Sequence, residues 1–204
     1  LRAIVSASGG VMIVALLLTM LCCIVLGMGV PTTATYCIMA ATCAPILMSP
    51  EIGVEMLAAH FFVFYFGIVA DITPPVALAA YAGAAIAKAG PMKTAFNASR
   101  LAIAAFIVPY IIAMNPAMLF INTTIPEVVM ITITSIIGIF GVAAGLSGFV
   151  FRNMKWWERI LCIVGGLTLL VPGSLTDLIG LVLVGAVCVL GYQAAKREKE
   201  ALAA

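Results

Sequence analysis

Gly27-Met28-Gly29-Val30-Pro31-Thr32-Thr33 and, further along, Ala70-Asp71-Ile72-Thr73-Pro74-Pro75 decide how this chain is read. Each is a short polar break between long apolar runs. Pro31, Pro74 and Pro75 remove backbone donors and interrupt a helix, while Gly27 and Gly29 permit backbone geometry closed to other residues. In lipid every backbone N–H and C=O needs an internal partner, so a non-helical segment is tolerated only inside protein or beside a polar cavity. Two such breaks in one short apolar chain point to a site for something polar. Discontinuous helices in membranes present helix-end dipoles and freed carbonyls to ions and small solutes.

The surrounding composition fixes the solvent. Of 204 residues, 65% are hydrophobic and only 9% charged, against roughly 25% charged in a soluble domain. The chain is therefore integral to a membrane, with the bilayer itself as a partner. Barrel strands alternate in hydrophobicity over about ten residues. Here the runs are continuous, as in Val11 to Leu26 and Ile160 to Val171, so the fold class is all-α and polytopic. The net charge of +2 carries no basic-aromatic stripe, and no nucleic-acid partner is expected. Cys22, Cys23, Cys37, Cys43, Cys162 and Cys188 lie in apolar surroundings and read as small buried hydrophobes. The chain does not begin with Met and is read as a fragment or as one chain of a cut protein.

Helices are expected over Arg2–Leu26, with a weak start at Ser6, Ser8, Gly9 and Gly10, over Thr33–Met48, over Glu55–Val69 and over Val76–Lys88. Residues 89–93 read as a linker. Leu101–Phe120 and Val128–Phe151 read as spans, Arg152–Arg159 as a basic-aromatic interfacial loop with Trp156 and Trp157 as anchors, and Ile160–Val171 with Leu178–Tyr192 as a closing hairpin before a charged tail. The Lys and Arg clusters at 88–100, 152–159 and 196–199 place these loops and the C-terminus in the cytoplasm. The loops at 121–126 and 172–176, which hold no Lys or Arg, then face out. If Glu55–Lys88 crosses once, as a broken helix, the Glu51 loop lies outside and Leu1–Met48 begins and ends outside. It is either two spans or a re-entrant hairpin, and the tip of Gly, Pro, Thr32, Thr33 and Thr35 favours the hairpin.

The strings Gly27-Met28-Gly29-Val30-Pro31-Thr32-Thr33-Ala34, Ala44-Pro45, Ala59-His60-Phe61-Phe62 and Ile72-Thr73-Pro74-Pro75-Val76 resemble the large membrane subunit of tripartite ATP-independent periplasmic (TRAP) transporters. Residues 58–67 and the end, Lys155-Trp156-Trp157-Glu158-Arg159 through Pro172-Gly173, are similar to the fused permeases of the TAXI-associated branch. Pro31 stands where other branches commonly carry an acid, and this departure fits the TAXI branch.

The resemblance implies the second inverted repeat of an elevator-type secondary transporter. A helical hairpin with its tip at 27–33 and a broken helix with its loop at 70–75 would form a transport core over residues 1–100. Spanning helices at 101–151 and a C-terminal hairpin with a cytoplasmic tail at 152–204 would follow. It further implies uptake of a small organic anion across a bacterial or archaeal inner membrane, driven by Na⁺ or by H⁺. The partners would be the first repeat of the permease, a small membrane subunit or fused domain, and a periplasmic TAXI-type substrate-binding protein. The alternatives are an elevator carrier without a binding protein and a non-transporting assembly subunit.

The residues expected to touch ion or substrate are Gly27, Gly29, Pro31, Thr32, Thr33, Ala70, Asp71, Thr73, Pro74 and Pro75. Sodium is a hard cation that favours oxygen ligands, so Gly27, Thr32, Thr33 and Thr73 form the expected Na⁺ set. The competing reading is that the threonines only cap broken helices. Asp71 is the one acid in the apolar core and the first candidate for proton coupling, against a helix-break residue satisfied locally. His60 is read as packing, with proton coupling the alternative. Glu51 and Glu55 are read as solvated, the aromatics of Phe61–Phe66 as packing, and Ala77–Ala87 as a surface for close helix contact. The half-helix N-termini near Thr33 and Val76 are placed to face anionic groups. One histidine and two acids near the core offer poor acid–base material, so no enzyme is expected, and no cofactor beyond the coupling ion.

Overall fold

The structure is a computed structural model and describes residues 2–203. It is helical: α1 (Arg2–Ser8), α2 (Met12–Leu26), α3 (Thr32–Thr42), α4 (Ala44–Leu47), α5 (Met56–Val69), α6 (Leu78–Ile86), α7 (Pro91–Leu101), α8 (Ile103–Met114), α9 (Ile125–Ser147), α10 (Trp156–Thr168) and α11 (Ser174–Ala203). Two 3₁₀ turns, Ala70–Ile72 and Pro116–Leu119, extend α5 and follow α8. Residues 1–121 and 122–204 form two compact units.

In the first unit α5 is the central post. It packs on α2, α3, α4 and α8, because nearly its whole length is apolar. Phe62 and Phe66 are fully buried and stack with Tyr110 of α8 in edge-on contacts, at 5.2 and 5.8 Å between ring centroids. Leu16 and Cys23 of α2, Met39 of α3 and Leu47 of α4 complete this core. The aromatic run divides, since Phe61 and Phe64 face outward. Cys37 likewise is exposed, whereas Cys23, Cys43 and Cys162 are buried. Glu55 is not merely solvated: it is the N-cap of α5, its carboxylate accepting from the Leu57 and Ala58 N–H groups at 2.7 and 3.2 Å. An N-cap acceptor satisfies orphan donors of the first turn and suits the helix dipole.

The expected break at Ser8–Gly10 is present, with Gly9 and Gly10 at positive φ between α1 and α2. The expected linker at 89–93 is shorter than its composition implies. Pro91 begins α7, because a proline at the first helical position loses no hydrogen bond and has its φ already set. The expected span from Leu101 also divides, with α7 and α8 bent by 42° at Ala102. The small residues expected to serve close packing over Ala77–Ala87 do so only in part: Ala77 and Ala80 form a buried cluster with Ala95 of α7, whereas Ala79, Ala82, Gly83, Ala85 and Ala87 are exposed.

By length and composition, two described helical segments can cross a membrane, Ile125–Ser147 and Leu175–Lys196, and a third if the bent pair α7–α8 is one span. Helix α2 has 15 residues, about 22 Å at 1.5 Å per residue, short of a hydrocarbon core of about 30 Å. Helix α10 has only 13 and also falls short, although it was expected to form half of a closing pair of spans.

In the second unit, glycines let α9 and α10 touch backbone to backbone. A Cβ on Gly166 would meet the Gly138 carbonyl at 2.6 Å and the Val142 nitrogen at 2.8 Å. Small residues are the usual means of close helix contact in lipid. The segment expected as a loop, Arg152–Arg159, is one only as far as Lys155. Helix α10 starts at Trp156, and both arginines are structural. Arg152 pairs with buried Glu158 at 2.6 Å, and Glu158 also accepts from the Lys155 N–H at 2.8 Å. Arg159 donates to the Gly145 and Leu146 carbonyls at the end of α9, at 2.9 and 3.0 Å. These carbonyls have no intrahelical donor, which is why a cation closes them. Trp156 and Trp157 remain exposed. The tail expected beyond residue 195 continues α11 to Ala203.

Glu158→Ala would leave the Arg152 guanidinium largely buried without its carboxylate. Loss of one partner of a buried pair costs about 3–5 kcal/mol, so the thermal unfolding midpoint in detergent falls well below that of the parent. Gly166→Val, which forces two backbones apart, costs about 1–3 kcal/mol of stability and lowers the midpoint in the same assay.

Candidate functional site

The two breaks meet through glycines. Gly27 caps α2 and is buried; a Cβ there would lie 3.0 Å from the Gly67 carbonyl and 3.1 Å from the Ala70 Cβ. On α5, a Cβ at Gly67 would lie 3.0 Å from Thr35 Cγ2 and 3.2 Å from Met39 Sδ. The end of α5 is thus held between the C-cap of α2 and the face of α3 that carries Thr35 and Met39. Gly29 turns the tip with φ +73°, a left-handed value at which a side chain is strained. Pro31 occupies the N-cap position of α3, and its carbonyl accepts from the Thr35 N–H at 2.9 Å.

The structure therefore brings Gly27 and Ala70 together. Thr32 and Thr33 lie exposed on the first turn of α3, Pro75 is exposed, and Asp71, Thr73 and Pro74 are half-buried. Thr35, included in the polar tip but not among the expected ligands, is buried and donates to the Val30 carbonyl at 3.1 Å. It fastens the tip to α3 from within.

The second break is more fully bonded than its sequence implies. Thr73 Oγ1 donates to the Val69 carbonyl at 2.7 Å, and the Thr73 N–H to Ala70 O at 3.2 Å. Ser99 Oγ on α7 donates to Ile72 O at 3.0 Å, and Tyr81 Oη on α6 to Pro75 O at 2.6 Å. The Pro74–Pro75 peptide is cis, and Ala77, buried at φ 38°, opens α6. Helix α6 thus begins at Leu78, two residues beyond Val76, near which a half-helix N-terminus was expected. A carbonyl oxygen has two lone pairs, so each of these acceptors retains one. Hydroxyls that donate to carbonyls also keep their own lone pairs, so the second break carries several oxygen acceptors, those of the Tyr81–Pro75 bond exposed to solvent. Such a set suits a hard cation. Tyr81 and Ser99 were absent from the sequence reading. No local pattern marks them, since each works across 6 and 27 residues respectively.

An apolar groove of about 550 Å³ runs between Thr73–Pro75 and Met92, Phe96 and Ser99 of α7. A second, of about 260 Å³, surrounds His60, whose Nδ1 is 3.0 Å from the Tyr36 hydroxyl. This partner agrees with the packing reading of His60. Among the described residues no group of three or more His, Cys, Asp or Glu gathers in a metal-holding cluster.

Residues 1–128 match the family model for the tripartite ATP-independent periplasmic transporter, DctM component. Residues 128–183 match a domain of unknown function, DUF3394. No curated protein and no solved structure matches the chain.

Tyr81→Phe and Ser99→Ala each remove one donor from the second break. A net hydrogen bond is worth about 1 kcal/mol, so each variant loses about that much stability in a thermal melt in detergent. The double variant loses about the sum, because the two hydroxyls act on different carbonyls.

Proposed function

As this chain belongs to the DctM family of TRAP transporters, and is thus a permease subunit rather than an enzyme, we propose that it is the ion-coupled half of the translocation core. The observation that carries this is the contact of the two breaks, Gly27 against Gly67 and Ala70. Two interruptions far apart in sequence lie side by side here, which is the arrangement a shared polar site requires.

In this reading Na⁺ is held by oxygens around Gly27, Thr32, Thr33 and Thr73, with the carbonyls of Ala70 and its neighbours lending their remaining lone pairs. Asp71, on the 3₁₀ turn beside them, sets the local charge and takes the proton if H⁺ replaces Na⁺. Gly29, Pro31, Pro74 and Pro75 hold the two loops open. Binding energy from the ion orders the exposed tip at Thr32 and Thr33, and that order is what a small organic anion then meets. A ligand shifts a conformational equilibrium only by its differential affinity for the two states. Coupling therefore requires that these oxygens converge in one state of the tip and not in the other.

The rest of the machine follows the family. The hairpin and broken helix here act as a second inverted repeat in an elevator movement, with the first repeat supplied by protein outside residues 1–204. A small membrane subunit or fused domain, and a periplasmic binding protein of the TAXI type, complete it in a bacterial or archaeal inner membrane. The similarity of residues 58–67 and the presence of Pro31 support that branch. The three basic clusters support a cytoplasmic C-terminus.

Thr33→Ala and Thr73→Ala, made in the complete transporter and assayed in proteoliposomes with its binding protein, raise the Na⁺ concentration for half-maximal uptake severalfold. Uptake at saturating Na⁺ changes less. An unchanged Na⁺ dependence in both variants removes the threonines from the site, and dependence on a pH gradient alone moves the coupling to Asp71.

A further inference from the structure

Helix α7 has two differently built sides. Ala95 and Ala98 turn inward onto α6. Met92 and Phe96, four residues apart and so neighbours on the helix surface, are 49% and 59% exposed. Lys93 and Arg100 are also exposed on α7 and share one stripe next to that apolar pair. Lys88, just upstream, stands at positive φ in the turn that leads into the helix. From Thr73 to Pro126 the sequence holds these three cations and no acid.

An apolar pair bordered by cations along a short helix is the pattern of a segment that lies in a membrane–water interface. Lys and Arg stems run along apolar surface while their heads reach the aqueous side. The bend of 42° at Ala102 turns α7 away from the line of α8. Such a bend lets one helix of the pair enter the hydrocarbon while the other runs along its boundary. A wholly positive stretch at that boundary has a charge complement in anionic headgroups, which attract juxtamembrane cations near the surface.

We propose that α7 is an anionic-phospholipid contact: Met92 and Phe96 sit at the acyl boundary, and Lys88, Lys93 and Arg100 lie under the phosphates. The contact would also set the second break. Ser99 of the same helix bonds the Ile72 carbonyl, so the depth of α7 in the membrane is tied to the loop at 70–75. The assignment rests on the surface of α7 and not on the transport reading, and it holds for any membrane protein with this surface.

The test uses the full chain in nanodiscs, with Phe96→Trp in a Trp156→Phe, Trp157→Phe background. Fluorescence of the indole at position 96 is measured with brominated acyl chains carried either on phosphatidylglycerol or on phosphatidylcholine, at equal mole fraction in otherwise identical mixed bilayers. Quenching by the brominated anionic lipid is expected to exceed that by the neutral one at least about twofold, since each surface cation contributes to the attraction. Lys88→Gln with Lys93→Gln should abolish the difference. Equal quenching by the two lipids overturns headgroup selection. Absence of quenching by either shows the face covered by protein and overturns the lipid assignment altogether. Native mass spectrometry of the unaltered chain gives a second reading without substitution: phosphatidylglycerol should remain bound where phosphatidylcholine does not, and equal retention contradicts the proposal.

Discussion

Two backbone approaches, at Gly27 and at Gly67, hold the first unit in its working form. Each depends on the absence of a Cβ, and each joins α5 to a different arm of the tip region. A methyl group at either position would meet a neighbour at 3.0 Å, in a place where interiors are packed as densely as organic crystals. The contacts are ones of close packing, yet their consequence is polar. They carry the loop after α2 and the 3₁₀ turn after α5 to the same end of the post. In a bilayer, where unpaired backbone groups are costly, this is the arrangement in which two breaks can share one polar environment.

How that environment is built differs from an open row of bare carbonyls. Thr73, Ser99, Tyr81 and Thr35 each donate one hydroxyl proton to a carbonyl of a break, at 2.6 to 3.1 Å. These bonds make the interruptions affordable without an ion, and they leave oxygen lone pairs as the remaining chemistry. The broken helices thus find hydrogen-bond partners within the protein. The same economy of donors runs through the second unit, where Arg159 closes the end of α9 and Glu158 holds Arg152.

The sequence made the helical class and both breaks legible, because proline, glycine and long apolar runs act locally. It also signalled the small-residue face of α6. It was silent where partners are distant. Ser99 reaches Ile72 across 27 residues, and nothing in the string Ala98-Ser99-Arg100 announces that. Pro91 was taken for a linker residue although it opens a helix, since proline punctuates both ends of such segments. Arg152 and Arg159 looked like interfacial charges because their neighbours are tryptophans, and only the fold shows Glu158 3% exposed beside one of them. Glu55 looked solvated for a similar reason, as an N-cap is defined by the backbone it meets. The candidate ligands Thr32, Thr33 and Thr73 were chosen by chemistry at the breaks, and the meeting of the two breaks lay beyond any local pattern.

The central claim is that the meeting of the breaks, and not merely their residues, makes the ion site. Equilibrium binding of ²²Na⁺ to the purified complete permease tests this directly, comparing the parent with Gly67→Val. That variant keeps every threonine and Asp71 but wedges Thr35 and Met39 away from α5. The parent is expected to bind Na⁺, and the variant, still monodisperse in detergent, to bind it at least about tenfold more weakly, a loss of about 1.4 kcal/mol. A folded variant that binds Na⁺ as tightly as the parent, or a parent that binds none, would contradict it.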